Sequence, residues 1–188
     1  RGLAYSDKGE IELAIGDFDK AIKLDKKNTA AYVSWGNVYA NKGETELAIR
    51  YYDKAIELDP KYVAAYNNRG IVYDNKGEIE SAIKDYNKAI ELDTKDAAAY
   101  VNRGIIYANK GEIESAIRDF SKAVKLDPKL AYAYVNRGSA YRKKGELELA
   151  KKDFDKAIKL DPKFAGAYLS RGLFYRDRGE MELAEKDF

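Results

Sequence analysis

The sequence predicts an all-α protein built as a solenoid of antiparallel helix-turn-helix repeats, and two observations lead to this fold class. The first is that the chain of 188 residues matches itself when it is shifted by 34 positions. The second is that glycine, alanine and aromatic residues recur within each copy at intervals of three and four, the spacing of one helix face. A fixed period of this length is typical of stacked helical hairpins.

Two glycine columns mark the period most clearly. The first contains Gly2, Gly36, Gly70, Gly104, Gly138 and Gly172. The second contains Gly9, Gly43, Gly77, Gly111, Gly145 and Gly179. In the copy 97–130, Gly111 can adopt the left-handed conformation that closes a helix, and Asp127-Pro128 ends the helix that follows. Each copy therefore predicts two helices joined by a glycine turn.

The small and large residues of one copy predict how its two helices pack. Gly104 and Ala116 lie about equally far from the turn, so we expect the two backbones to approach closely there. Tyr107 and Phe120 are expected to fill the flanks of this contact.

An arginine column predicts ion pairs between the two helices. Arg1, Arg69, Arg103, Arg137 and Arg171 are followed 16 residues later by Asp17, Asp85, Asp119, Asp153 and Asp187. Because the turn lies midway, the two members of each pair should face each other. In the one copy with Trp35 the matching residue is Tyr51, so we expect an aromatic contact instead.

These columns resemble the tetratricopeptide repeat. In the copy 97–130 its signature positions read Tyr100, Gly104, Tyr107, Ala116, Phe120, Ala123 and Pro128. The resemblance covers the whole chain and implies a right-handed superhelical solenoid, whose concave groove is lined by the first helix of each repeat and binds peptide segments. Lys26 and Thr94 replace the proline, and we expect looser turns at both places.

The repeat boundaries predict a single solenoid domain over residues 1–188. It would comprise a partial repeat 1–28, the repeats 29–62, 63–96, 97–130 and 131–164, and a partial repeat 165–188. Because both ends fall inside a repeat, we expect a fragment of a longer array. Leu3, Tyr5, Phe174 and Met181 should then be incompletely covered, which would favour head-to-tail self-association.

Composition argues against catalysis and against metal or cofactor binding. The chain contains neither histidine nor cysteine, so most nucleophile–base pairs and transition-metal sites are missing. Paired carboxylates such as Glu112 and Glu114 recur in nearly every copy, as solvated helix starts would. Apolar runs are too short to span a membrane. If the chain is a fragment, any targeting segment would be missing with its N-terminus, so the localisation is unknown and a cytoplasmic location is only the default expectation.

Candidate binding residues lie on the face of the first helices opposite the tyrosines. They are Val33, Asn37, Asn67, Asn68, Ile71, Val101, Asn102, Ile105, Val135, Asn136, Ser139, Arg142, Lys143 and Arg176. Amide side chains alternate with apolar ones, and the face becomes basic towards the C-terminal end. The expected partner is therefore a protein or peptide segment, with an acidic flank at that end.

Some asparagines have a structural alternative. Asn41, Asn75 and Asn109 stand two residues before the turn glycine, where asparagine helps a helix to stop. Asn68 and Asn136 lie in mid-helix, as does Asn102, and asparagine is a poor helix former there, so a binding role is at least as good an explanation. Arg142 and Lys143 suit either a binding role or ordinary solvation.

The predicted function is a non-catalytic protein-interaction scaffold. The carboxylate clamp of chaperone-associated members is not expected, because Asn37 and Asn68 fit two of its positions but Val33, Ala98 and Asn102 supply no positive charge at the others. One alternative is an RNA-binding helical-repeat array. The net charge of +2 and the lack of a continuous Lys/Arg stripe argue against it. A second alternative is an oligomerisation module of a larger enzyme.

Overall fold

The computed structural model describes residues 11–188, and every regular element in that range is an α-helix. The chain divides into two compact units, residues 1–94 and residues 95–188. Unit 1 contains α1 (Ile11–Leu24), α2 (Thr29–Asn41), α3 (Thr45–Leu58), α4 (Val63–Lys76) and α5 (Ile79–Leu92). Unit 2 contains α6 (Ala97–Asn109), α7 (Ile113–Leu126), α8 (Ala131–Lys144), α9 (Leu147–Leu160), α10 (Ala165–Asp177) and α11 (Met181–Asp187).

Successive helices pair as hairpins within each unit. In unit 1, α2 packs on α3 and α4 on α5; in unit 2 the pairs are α6 with α7, α8 with α9, and α10 with α11. We call α2, α4, α6, α8 and α10 the first helices, and α1, α3, α5, α7, α9 and α11 the second helices. Each second helix also contacts the first helix of the next hairpin in its unit, as α3 contacts α4 and α9 contacts α10. The predicted helix-turn-helix repeats are confirmed.

A left-handed glycine closes each of the five first helices that the structure describes. At Gly111 the backbone φ is +79°. The Gly111 N–H donates to the Ala108 carbonyl at 3.3 Å, and the Glu112 N–H donates to the Tyr107 carbonyl at 2.8 Å. These two bonds satisfy carbonyl groups that the helix end would otherwise leave unpaired, and only glycine adopts this φ without strain.

The two turns without proline are followed by helices with side-chain caps. Asn28 Oδ1 accepts from the Ala31 N–H at 3.0 Å at the start of α2, and Asp96 Oδ1 accepts from the Ala98 N–H at 2.9 Å at the start of α6. The first helices that follow proline turns have Tyr62, Leu130 and Phe164 as their N-cap residues, and none of these three makes a side-chain cap bond. At these two turns a polar side-chain cap thus compensates for the missing proline.

The contact at the helical glycine differs from the predicted one. A Cβ added to Gly104 would lie 2.7 Å from Cε1 of Phe120, so the ring lies directly on the glycine and not at its flank. At Gly138 an added Cβ would lie 2.8 Å from the Phe154 ring and 3.1 Å from the Ala150 carbonyl oxygen. The glycine column therefore makes room chiefly for an aromatic ring, and close backbone approach is secondary.

The predicted Arg–Asp pairs are confirmed in four hairpins, and each is bidentate. In the α6–α7 hairpin, Arg103 Nε and Nη2 donate to the two carboxylate oxygens of Asp119, both at 2.8 Å. Equivalent pairs of 2.7–2.8 Å bonds join Arg69 to Asp85, Arg137 to Asp153, and Arg171 to Asp187. The expected pair between Arg1 and Asp17 lies outside the described residues.

Aromatic rings and burial strengthen these pairs. The Arg103 guanidinium carbon lies 5.7 Å from the Tyr100 ring centre and 5.8 Å from that of Tyr107, within cation–π range of both. Asp119 is only 5% exposed. Its hydrogen bond and charge raise the pKa of Arg103 above the usual arginine value. The pair is therefore a buried element of the hairpin.

A second partner of the arginine column was not predicted. Arg171 Nη1 also donates to Asp155 Oδ1 at 2.7 Å, and Arg69 makes the same contact with Asp53. Because Asp53 and Asp155 lie on the second helix of the preceding hairpin, these bonds join consecutive repeats. At Arg137 the equivalent residue is Ser121, whose hydroxyl is 3.4 Å away. The sequence could have indicated this second partner, because an aspartate stands 16 positions before Arg69 and before Arg171.

The aromatic contact expected between Trp35 and Tyr51, in place of an ion pair, is confirmed. The rings of Trp35 and Tyr51 lie 4.6 Å apart, and the Tyr39 ring stacks on that of Tyr51 at 5.3 Å. Trp35 is 6% exposed. An aromatic cluster therefore joins α2 to α3 where an ion pair joins the other hairpins.

In the last hairpin, Phe174 and Met181 were both expected to be incompletely covered, and this is correct for only one of them. Phe174 is buried, because its ring packs against Phe154 at 6.0 Å and Tyr175 at 5.5 Å. Met181 is 53% exposed, as expected. Leu3 and Tyr5 lie outside the described residues. Self-association stays a prediction.

The buried pair should be essential to its hairpin. We expect Asp119→Ala to lower the free energy of unfolding by about 3–5 kcal/mol, because it leaves the Arg103 charge half-buried and without its bidentate partner. The double variant Arg103→Trp/Asp119→Tyr should recover part of this loss by reproducing the Trp35–Tyr51 contact. Denaturant unfolding would measure the free energy of unfolding of the unaltered chain, of Asp119→Ala and of the double variant. A cost below about 1 kcal/mol for Asp119→Ala would show that the pair behaves as a surface salt bridge.

The ring contact should make the helical glycine intolerant of a methyl group. We expect Gly104→Ala to destabilise by about 1–3 kcal/mol, because the added Cβ overlaps the Phe120 ring. Gly16→Ala is the matched control, since a Cβ on this helical glycine of α1 meets nothing within 4 Å. That change should be neutral or stabilising by up to about 1 kcal/mol. Equal thermal shifts for the two variants would contradict the close-contact explanation.

Candidate functional site

A pocket of about 530 Å³ lies between α2 and α4 in unit 1. It is lined by Asn37, Ala40, Asn41, Gly43, Thr45, Tyr52, Asn68, Ile71, Val72 and Asn75. Three of these residues, Asn37, Asn68 and Ile71, were predicted from the sequence to line the groove. We call this the unit 1 pocket.

A hydrogen-bonded set fixes the polar wall of the unit 1 pocket. The Tyr52 hydroxyl donates to Asn37 Oδ1 at 2.7 Å, and Asn68 Nδ2 donates to the same oxygen at 2.8 Å. Burial raises the pKa of Tyr52 far above the usual tyrosine value, so its hydroxyl remains a donor. Asn37 Nδ2 and Asn68 Oδ1 are not used in these bonds, which leaves one amide donor and one amide acceptor at the pocket.

The set occurs at one place because the repeats differ. In the column of Tyr52 the described residues of unit 2 are Phe120, Phe154 and Phe188, which have no hydroxyl. In the column of Asn37 the residues that follow are Ile71, Ile105, Ser139 and Leu173. The combination of a buried tyrosine with an asparagine opposite it is therefore specific to the α2–α3 hairpin among the residues described.

Two predicted groove residues belong to the core. Val33 is 6% exposed and packs with Ala48 and Tyr52, while Val101 is 0% exposed and packs with Phe120. Neither side chain can reach a ligand, so the expectation of apolar groove patches at these two positions is corrected. The reason is that each lies on the face of its first helix that meets its own second helix.

The remaining apolar candidates keep some exposure. Ile71 is 41% exposed, and its side chain lines the unit 1 pocket. Ile105 is half-buried against the core of unit 2, and Val135 is half-buried as well. Ile71 is therefore the most available apolar contact among the predicted groove residues.

The mid-helix asparagines differ in their partners. Asn136 Nδ2 donates to the Tyr132 carbonyl of its own helix at 2.9 Å, which is a structural role. Asn68 instead bonds across to α2. Asn67 and Asn102 are half-buried, as is Ser139. The sequence pattern treated these asparagines as equivalent, and the structure distinguishes them by their hydrogen bonds.

Two turn asparagines and two residues of a second helix also line the unit 1 pocket. Asn41 and Asn75 line it, although their position before the turn glycine favoured a structural role over a binding role. Thr45 and Tyr52 line it from α3. Thr45 and Tyr52 were not predicted, because the groove was expected to be lined by first helices alone. Asn109 is exposed.

The basic end of the predicted site is partly neutralised. In unit 2, Arg142 forms an ion pair with Asp177 at 2.5 Å, and Arg176 Nη2 lies 3.4 Å from the same carboxylate. Lys143 is exposed. The pairing of Arg142 with Asp177 was not predicted from the sequence. Lys143 and Arg176 are therefore the more available positive charges of this face.

Within residues 11–188 no group of three or more histidine, cysteine, aspartate or glutamate side chains is placed to hold a metal ion. None of the described helices combines the length and apolar character needed to cross a membrane.

Several solved structures resemble the chain. A MamA structure is 32% identical, with coverage of 87% of this chain and 96% of that one and a TM-score of 0.73. YrrB, described as a TPR protein with an unusual peptide-binding site, is 26% identical over 90% of this chain and 88% of its own, with a TM-score of 0.70. Pseudomonas aeruginosa pilF, at 20% identity, 99% and 85% coverage and a TM-score of 0.87, shares the fold. None of the curated protein sequences matches significantly.

Family models together match residues 2–164 of the chain. The model described as TPR repeat matches residues 2–43, 36–77, 75–111 and 104–145. The model described as tetratricopeptide repeat matches residues 131–164. Together with the helical hairpins, the left-handed turn glycines and the glycine–ring contacts, these matches establish that the chain belongs to the tetratricopeptide repeat family.

Proposed function

We propose that this chain is a protein-interaction scaffold and that the unit 1 pocket binds an extended segment of a partner protein. The observation that carries the proposal is the set formed by Tyr52, Asn37 and Asn68, whose two internal bonds of 2.7 and 2.8 Å hold the amides in place. A fixed donor and a fixed acceptor remain at its surface. Because both amides are already oriented, a ligand would lose less free energy in ordering them.

An extended peptide fits this chemistry. Its backbone offers N–H donors and carbonyl acceptors in turn, and neutral side-chain amides can bond to both without demanding a charge. Ile71, 41% exposed at the same pocket, offers an apolar surface for a ligand side chain. We expect micromolar binding, on the order of −8 kcal/mol.

Unit 2 would add a preference for carboxylates. Lys143 and Arg176 are exposed there, and we propose that they contact an acidic flank of a partner segment. Arg142 would contribute less, because Asp177 already neutralises it at 2.5 Å. This contribution should weaken as salt rises, since both side chains are exposed.

The comparisons support a binding role over a catalytic one. YrrB is described as having a peptide-binding site, and this chain shares its fold at 26% identity. The chain has no histidine or cysteine to serve as a general base or a thiol nucleophile. We therefore propose a non-catalytic function without a cofactor.

Removal of one amide should weaken peptide binding without unfolding the protein. Random peptides displayed on phage would be selected on the full chain, and the best peptide measured by calorimetry. We expect Asn68→Ala to weaken this peptide by about 1–2 kcal/mol, because it removes an amide acceptor and releases Asn37 from its bond. The melting temperature should change little, since Asn68 is half-buried at the groove surface.

Asn136→Ala is the matched control for this experiment. Asn136 occupies the same repeat position as Asn68, but its amide donates to the Tyr132 carbonyl of its own helix. Asn136→Ala should therefore leave the affinity for the selected peptide unchanged. Equal losses for both variants, or none for Asn68→Ala, would contradict the unit 1 pocket as the binding site. Selection of single-stranded RNA in preference to any peptide would favour the RNA-binding alternative.

A further inference from the structure

Lysines recur on the exposed side of the second helices, and in unit 1 two of them are neutralised. On α3, Lys54 Nζ lies 2.9 Å from the Glu57 carboxylate, and on α5, Lys88 Nζ lies 2.8 Å from that of Glu91. Each pair joins residues three positions apart on one helix. These helices therefore present little net charge at this position.

In unit 2 the same position carries two positive charges in place of an ion pair. Lys122 and Lys156 occupy the column of Lys54 and Lys88, but Lys125 and Lys159 replace the glutamates. All four lysines are exposed, and none of them forms an ion pair with any residue that the structure describes. We call these four residues the basic strip.

We infer that the basic strip is a second docking surface, which binds an acidic segment of a partner protein. Lys122 and Lys156 hold equivalent positions on α7 and α9, the second helices of consecutive hairpins, and α8 packs against both helices. The strip therefore lies on one side of unit 2. Four uncompensated positive charges there would attract a run of carboxylates.

Exposed glutamates argue against a membrane surface as the partner. Glu114 on α7 and Glu148 on α9 lie about two turns before Lys122 and Lys156, near the start of the same helices. A uniformly anionic surface would meet these carboxylates as well as the lysines. A narrow acidic segment that crosses only the C-terminal halves of α7 and α9 would avoid them.

The side chains of the strip also favour a protein over single-stranded nucleic acid. Proteins that bind single strands combine basic residues with aromatic rings on which bases stack. All four residues of the strip are lysines, and the neighbouring Tyr100 is half-buried with Lys122 Nζ 6.0 Å from its ring centre. Lysine is a mobile point charge, which suits carboxylates without a fixed geometry.

This strip qualifies an expectation from the sequence. No continuous Lys/Arg stripe was expected, and across α3 and α5 that holds, because Glu57 and Glu91 neutralise the lysines. Paired lysines at these two repeat positions occur on α7 and α9, and also on α1, where Lys20 and Lys23 occupy them. On α9 the pair belongs to a basic repeat, since residues 131–164 contain nine lysines and arginines against five aspartates and glutamates.

The test uses the full chain and a fluorescent poly-glutamate peptide as probe. Lys125→Glu/Lys159→Glu should restore the ion-pair pattern of α3 and α5, so the variant should fold normally, as circular dichroism and the melting temperature would check. We expect it to bind poly-glutamate at least about tenfold more weakly than the unaltered chain at low salt. The difference should shrink as salt is raised.

Two control variants isolate the surface. Lys26→Glu/Lys61→Glu makes the same change in net charge at two exposed residues in turns of unit 1, and it should weaken binding by less than about twofold. The loss caused by Lys125→Glu/Lys159→Glu should be equally large in an Asn68→Ala background, because the basic strip and the unit 1 pocket use different residues. These results would separate the basic strip from general electrostatics and from the pocket.

Three results would overturn the inference. The first is an equal loss for both charge variants, which would indicate attraction by net charge alone. The second is binding to phosphatidylserine vesicles, lost in Lys125→Glu/Lys159→Glu, that is stronger than binding to poly-glutamate. The third is binding to polyuridylate, lost in Lys125→Glu/Lys159→Glu, that is stronger than binding to poly-glutamate. The last two would assign the strip to a membrane or to RNA.

Discussion

The contact between a helical glycine and an aromatic ring is the constraint on which each hairpin depends. At Gly104 an added Cβ would lie 2.7 Å from Phe120, and the equivalent distances are 2.8 Å at Gly70 and Gly138. Because the ring fills the space of a missing side chain, it sets the distance between the two helices. That distance in turn brings Arg103 within 2.8 Å of Asp119, so the ion pair follows from the packing. The stability of the repeat therefore depends on shape first and on charge second.

The ring at this contact also determines where a site can form. Phenylalanine and tyrosine fill the space equally well, but only tyrosine adds a hydroxyl at the groove. At Tyr52 the hydroxyl reaches Asn37 at 2.7 Å, which in turn accepts from Asn68. The same packing position thus contributes to the core in unit 2 and to the polar wall of a pocket in unit 1. Variation within a conserved packing pattern is how a repeat protein can acquire a local binding function.

Much of the fold could be predicted from the sequence because the repeat multiplies weak signals. One glycine before a polar residue is an ambiguous turn, but the same glycine every 34 residues is not, and Gly111 has the expected positive φ. The Arg103–Asp119 pair followed from the same arithmetic. The site was less predictable, since burial depends on neighbours that a helix pattern does not show. Val101 appeared available but is fully buried, and the pairing of Arg142 with Asp177 joins residues 35 positions apart on different first helices.

We propose that the unit 1 pocket binds an extended peptide through the amides of Asn37 and Asn68. The most direct measurement is the NMR spectrum of the asparagine side-chain amides as the phage-selected peptide is added. We expect the Asn37 and Asn68 signals to shift and saturate together, while the signal of Asn136, which bonds to its own helix, stays in place. Shifts confined to the neighbourhood of Lys122 and Lys156, with Asn37 and Asn68 unmoved, would contradict it.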